Sequence, residues 1–148
     1  MHEKRWRDYE MTVNGLPQEI RYNEATVEGL FLPLLHRLAA LQAEKGGRIL
    51  IFLAAPPATG KSTLLQFLEE LARTHDELPQ VQTLGMDGFH HTNAYLAAHR
   101  VLRDGVETTL KSIKGAPETV DVAHLAAKLA AAKEGATPFP VYDRRIHD

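Results

Sequence analysis

Cysteine is absent from the 148 residues, which removes disulfides, thiolate zinc sites, iron–sulfur clusters and a cysteine nucleophile, and points to a reducing compartment. An excess of charge of one sign is missing too. The 17 Lys and Arg residues face 19 Asp and Glu, a net of −2, so the chain carries no electrostatic footprint for nucleic acid or an anionic membrane surface. No apolar run approaches the roughly 18 to 20 residues of a spanning helix, and Met1 to Asp8 is not followed by the apolar stretch of a leader. These absences predict a cytoplasmic protein with no nucleic-acid and no membrane partner. There is no internal repeat and no linker-like shift in composition. What is present is an ordinary globular mixture, 44% hydrophobic and 24% charged, long enough to bury a core.

Apolar periodicity gives the organisation. From Asn23 to Gln42, Val27, Leu30, Phe31, Leu34, Leu35, Leu38 and Leu41 recur at three- and four-residue steps, the stripe of an amphipathic helix that Pro33 would kink and Gly46–Gly47 would stop. The continuous run Ile49 to Ala54 reads as a strand buried on both faces, hence as part of a parallel sheet. A helix follows over Lys61 to Arg73, with Leu64, Leu65, Leu68 and Leu71 on one side and Glu69 and Glu70 on the other. Val81 to Met86 predicts a second strand ending at Asp87, and Asn93 to Leu102 another helix. Arg103 to Pro117 reads as a loop, Thr119 or Asp121 as the cap of a helix running to Lys133, and Phe139 to Tyr142 as a short edge strand. The fold expected is α/β, three layers of α/β/α around a mostly parallel sheet. The domain is single over 1–148: an extension with its helix over 1–47, and a nucleotide-binding and acceptor-site core over 48–148. Met1 to Gln18 is the part least determined.

Between the apolar run and the next helix stands Ala55-Pro56-Pro57-Ala58-Thr59-Gly60-Lys61-Ser62-Thr63, a small residue, four others, then Gly-Lys-Ser. That spacing in a strand–loop–helix context is the phosphate-binding loop. Backbone N–H groups curl around phosphates at a helix N-terminus, where unpaired donors and the helix dipole favour anions. Lys61 adds a point charge, and the Ser62 hydroxyl is the ligand offered to Mg2+. Ala55 stands where glycine is usual. Ala58 stands where a second glycine is common, and a φ above zero there costs alanine on the order of 1 kcal/mol. The alternative is a structural glycine turn with no ligand.

The residues after the second expected strand narrow the branch. Asp87-Gly88-Phe89-His90 is not the Asp-x-x-Gly of GTPases, and no Asn-Lys-x-Asp guanine reader occurs. Together with Lys114-Gly115-Ala116-Pro117-Glu118-Thr119-Val120-Asp121 and Pro140-Val141-Tyr142-Asp143-Arg144, it resembles the group of uridine kinase, phosphoribulokinase and bacterial pantothenate kinase. Within that group it is nearest to nucleoside-kinase-like proteins that include fructose transport system kinases. The resemblance covers Ile49 to Asp148. It implies a P-loop NTPase fold, ATP and Mg2+ as cofactors, and transfer of the γ-phosphoryl group to a hydroxyl of a nucleoside, a pantothenate-like alcohol or a sugar. It also implies that relatives continue past the Tyr142-Asp143-Arg144 segment with another buried strand, an Arg-bearing lid and a last strand and helix, so that this chain is expected to be either a fragment of a kinase domain or an unusual short relative.

Under that resemblance Asp87 faces the acceptor hydroxyl, where a carboxylate takes the proton or helps hold Mg2+; the other reading is a turn or cap residue. His90 and His91 are acceptor contacts or solvent-facing residues, and adjacent histidines with no third ligand are poor metal ligands. Lys114 is a loop residue or a phosphate or acceptor contact. Arg144 is near the acceptor, where a guanidinium suits anionic groups, or else in a surface ion pair. His36, His75, His99 and His124 carry no assigned role. The partners expected are a nucleotide and a small-molecule acceptor, with a homodimer left open. The alternative function is a nucleotide-binding module without catalysis.

Overall fold

The structure, a computed structural model, describes residues 5–13, 15–135 and 137–140. The chain divides into two compact units, Met1–Thr83 and Leu84–Asp148.

The first unit opens with β1 (Trp6–Val13) and β2 (Leu16–Asn23), an antiparallel hairpin whose register runs from Trp6 opposite Asn23 to Val13 opposite Leu16. Its signal is in the sequence, where an Asn-Gly pair between two alternating stretches marks a hairpin, and Gly15 has φ +78°. Alternation sends Tyr9, Met11, Ile20 and Tyr22 to the core face. Asp8 and Arg21 pair on the other face, with Arg21 Nε donating to Asp8 at 2.5 Å, and that hydrogen bond holds the Asp8 carboxyl below its ordinary range.

Asn23 caps the following helix, its side chain accepting from Ala25 N–H at 2.9 Å. One turn of α1 (Glu24–Thr26) leads into a π-turn over Val27–Phe31 and then α2 (Leu32–Lys45). The expected Pro33 kink takes this form. Proline cannot donate and its ring crowds the carbonyl four residues back, so the turn before it widens. Gly46, at φ +68° and ψ +43°, ends α2.

The next helix, α3 (Lys61–Arg73), has the expected bounds. Its buried face is Phe67, Leu68, Leu71 and Ala72. Phe67 is 1% exposed and sits in an aromatic cluster with Tyr9 at 4.8 Å, Tyr22 at 4.4 Å and Phe31 at 5.6 Å between ring centroids. That cluster joins the hairpin to both helices.

The expected parallel sheet is not found among the described residues. Both sheets are two-stranded and antiparallel. Ile49 to Ala54 and Val81 to Met86 carry no strand pairing, and Ile51, Phe52 and Leu53 are 57%, 65% and 41% exposed. The run therefore is not a strand buried on both faces. A parallel strand needs neighbours and helices over both faces, whereas the buried stripe of α3 packs on the aromatic hairpin.

The second unit departs from expectation in its middle. The helix starting at Asn93 stops at Ala98, giving α4 (Asn93–Ala98), and the expected loop instead holds a hairpin of β3 (Arg100–Arg103) and β4 (Val106–Thr109). Asp104 at φ +51° and Gly105 at φ +78° make its turn, the Asp–Gly signal for a hairpin with both central residues left-handed. Turns at Leu110–Ile113 and Pro117–Thr119 lead to α5 (Val122–Glu134). Of the two expected caps, Asp121 is the one, accepting from His124 N–H at 2.9 Å. Thr119, fully buried, donates to the Ala116 carbonyl at 2.7 Å and accepts from Gly115 N–H at 3.1 Å. Phe139 and Pro140 form no strand, and Val141 and Tyr142 lie outside the described residues. No helix among the described residues is long and apolar enough to cross a membrane.

Candidate functional site

The loop 55–60 is exposed and enters α3 through two left-handed residues, Ala58 at φ +60° and Gly60 at φ +83° and ψ +18°. Ala58 thus adopts the conformation that its glycine-like position demands. Gly60 has open space where a Cβ would stand. Two donors converge on one oxygen: the Pro56 carbonyl accepts from Thr59 Oγ1 at 2.8 Å and from Lys61 Nζ at 2.7 Å. Lys61 is thereby drawn over the loop. The first helical bond of α3 is Leu64 N–H to the Gly60 carbonyl, 2.9 Å, so the N–H groups of Lys61, Ser62 and Thr63 precede the helical ladder. Unladdered N–H groups, the helix dipole and an ammonium at one end of a rod are the elements of an anion site. The Ser62 side chain stands in that first turn, half-buried. No group of three or more metal-binding side chains occurs among the described residues. Of this loop, Ser62 would be the residue to offer Mg2+ a hydroxyl ligand.

Asp87 stands in the second unit, exposed, in the short turn Asp87–Phe89. Its carbonyl accepts from His90 N–H at 3.1 Å and lies 2.9 Å from His90 Nδ1. Phe89, 1% exposed, anchors the turn, with its ring edge-to-face to Phe139 and to His124, each at 5.2 Å. Gly88 is required there by sterics, because a Cβ would lie 2.1 Å from the Pro140 carbonyl oxygen. On either side of His90, backbone bonds zip the segment to the one before α5: His91 N–H to Thr119 at 2.9 Å and Asp121 N–H to Phe89 at 2.8 Å.

The structure therefore gathers Asp87, His90 and His91 on one short segment. Lys114 is tied to the head of α4, its Nζ donating to Asn93 Oδ1 at 3.0 Å. His91 stacks on Tyr95 at 4.2 Å, and Tyr95 on His99 at 3.7 Å. Arg144 lies outside the described residues. Sequence reasoning missed the Lys114–Asn93 tie, since nothing local joins residues 21 apart. It also missed the partner of Glu69, placed on the outer side of α3: that carboxylate accepts from Thr83 N–H at 2.8 Å and from the Thr83 hydroxyl. Glu70 does face outward, where the Arg73 guanidinium holds its carboxyl below the ordinary range.

Comparison with known proteins bears on this arrangement. The chain is 49% identical over 140 residues to "Uncharacterized protein YggC" of Escherichia coli K12, covering 94% of this chain and 55% of that protein. It is 31% identical over 156 residues to a pantothenate kinase of Sorangium cellulosum So ce56, covering 93% of this chain and 47% of the kinase. A Yersinia pestis pantothenate kinase gives 30% over 154 residues, 92% of this chain and 45% of that one. The chain is a distant relative of pantothenate kinases and spans about half the length of the curated relatives it matches. These relatives give no support to the fructose-transport branch. No family model matches the chain. No solved structure matches it.

Proposed function

We propose that the chain binds the phosphates of ATP and belongs to a phosphotransferase acting on a small-molecule hydroxyl, with a pantothenate-like alcohol as the first acceptor to test and nucleosides and sugars behind it. The observation that carries this is the loop 55–63: a Gly-Lys-Ser sequence whose residues 58 and 60 are left-handed and whose lysine leans over the loop at the head of α3. Distant similarity to pantothenate kinases over more than nine tenths of the chain supports it.

Held at this loop, ATP would supply the phosphoryl group and Mg2+ at Ser62 would supply positive charge beside its phosphates. The chain's own residues do the rest. The backbone of Ala55 to Thr63 cradles phosphate oxygens, Lys61 sets a positive charge on them, and Ser62 offers its hydroxyl to the metal. Asp87 orients the acceptor hydroxyl and takes its proton. His90, His91, Lys114 and Arg144 line the acceptor. Electrostatic positioning of this kind is the main source of rate in phosphoryl transfer. A nucleotide-binding module without catalysis is the second reading.

Calorimetry tests the core of the reading. Lys61→Ala should weaken MgATP binding at least about tenfold, 1.4 kcal/mol. Equal affinity of wild type and variant removes the phosphate-loop assignment. Pantothenate, nucleosides and hexoses are then screened for ATP-dependent phosphorylation, and ATP binding with no acceptor turned over leaves the binding module.

A further inference from the structure

His91, Tyr95 and His99 stand four residues apart, the spacing that brings side chains to one side of a helix, and they run from the segment ahead of α4 to its C-terminal cap. Their rings form one stack: His91 lies 4.2 Å from Tyr95 at 27° between planes, and Tyr95 lies 3.7 Å from His99 at 17°. The far end of the stack is pinned. His99 Nδ1 is 2.8 Å from the Tyr95 carbonyl, which can only accept, so Nδ1 carries the proton and the ring is held against its own helix. Tyr95 is 40% exposed, but the backbone under it is fixed: its N–H donates to Thr92 Oγ1 at 3.3 Å, and Leu96 beside it is fully buried. The near end is different. His91 N–H is bonded to the Thr119 carbonyl, yet neither ring nitrogen of His91 has a hydrogen-bond partner among the described residues, whereas His90, like His99, has Nδ1 against a carbonyl. We infer that Tyr95 is a positioning residue: its ring, braced by His99, orients the half-buried His91 imidazole and leaves both of its nitrogens open to the acceptor.

Face-to-face contact suits this task because it fixes the plane of a ring without consuming its donor or acceptor. A neutral imidazole held in that way keeps one donor nitrogen and one acceptor nitrogen for the polar groups of an acceptor molecule. That use rests on the phosphotransferase reading. The orientation itself does not, and it is measurable without turnover. Every residue involved lies in the second unit.

The test is NMR on the full chain, comparing wild type, Tyr95→Phe and Tyr95→Leu. Leucine is a good helix former, and among the described residues no hydrogen bond involves the Tyr95 hydroxyl, so both replacements keep α4. The Hα–Hβ couplings of His91 report its rotamer: a single staggered state in wild type and in Tyr95→Phe, a rotamer average in Tyr95→Leu. The His91 amide, bonded to Thr119, should keep its hydrogen-exchange protection in all three. Wild-type couplings in Tyr95→Leu overturn the inference, because something other than the stack then orients the ring. Lost amide protection in Tyr95→Leu overturns it as well, because the whole segment and not the ring would then depend on Tyr95. The second probe is whichever of pantothenate, nucleosides and hexoses is phosphorylated with ATP. Tyr95→Leu should raise the KM of that acceptor by about three- to tenfold, or about 0.7–1.4 kcal/mol, Tyr95→Phe should return it to near the wild-type value, and on a His91→Ala background Tyr95→Leu should add nothing. A KM effect that persists without His91 overturns the inference, since Tyr95 would then touch the acceptor itself. Absence of turnover with all three acceptor classes fails the phosphotransferase reading, and the His91 couplings then judge the positioning by themselves.

Discussion

Ala58→Gly separates backbone strain from ligand chemistry. Ala58 holds φ +60° in an exposed loop, so its replacement loses no buried contact and the effect is conformational. The left-handed region costs an L-residue about 1–2 kcal/mol, and glycine gives back about 0.5–1 kcal/mol through the greater freedom of its unfolded chain. The difference predicts a net gain of about 0.5–1 kcal/mol. Gly60→Ala is the mirror experiment: φ is +83° and a Cβ meets nothing within 4 Å, so the loss should be of similar size and purely conformational. Urea unfolding followed by the fluorescence of Trp6, the single tryptophan and a residue of β1 in the first unit, reports the relevant transition. With a slope of about 1–3 kcal/mol/M, the Ala58→Gly midpoint should rise by about 0.2–1 M and the Gly60→Ala midpoint should fall by about as much, at unchanged slope. A lower midpoint for Ala58→Gly refutes the strain argument. Calorimetry with MgATP adds a second axis. Strain present with and without nucleotide leaves affinity unchanged, whereas tighter binding by the glycine variant shows that the Ala58 methyl crowds the phosphates.

Two further predictions rest on packing. Gly88→Ala puts a Cβ 2.1 Å from the Pro140 carbonyl oxygen, an overpacking that forces backbone shifts costing about 1–3 kcal/mol; a wild-type melting curve would show that this close approach does not matter. Burial pushes the Tyr22 phenol above its ordinary value. Its folded value then exceeds the unfolded one of 10.0, so its contribution to stability is complete below that pH and is lost as pH climbs through the folded value. Tyr22→Phe should therefore flatten the fall in stability above about pH 10, and an unchanged alkaline slope counts against this cause.

Much of the local structure was legible because it depends on residues near in sequence. Asn23 and Asp121 are caps, Gly46 is a left-handed stop, and the Gly-Lys-Ser spacing marks the start of α3, since each satisfies backbone groups within one turn. The two hairpins were equally legible from turn chemistry, at Asn14–Gly15 in the stretch that periodicity leaves undetermined and at Asp104–Gly105, where a helix to Leu102 and a loop from Arg103 are expected instead. Phe67 was overlooked as the centre of the first core, although it lies on the stripe one residue before Leu68.

What the sequence by itself determined is therefore the set of pieces held by contacts within about five residues: caps, turns, the Gly-Lys-Ser loop and the helix behind it. Tertiary structure decided what covers each apolar surface. Ile49 to Ala54 is apolar enough for burial on two faces, yet apolarity favours burial without saying what does the covering, and here Ile51, Phe52 and Leu53 stay exposed while α3 closes over Tyr9 and Tyr22. The Glu69–Thr83 and Lys114–Asn93 ties were decided in the same way. Their partners are 14 and 21 residues apart, and a hydrogen bond over such a separation exists only once the fold has brought donor and acceptor together.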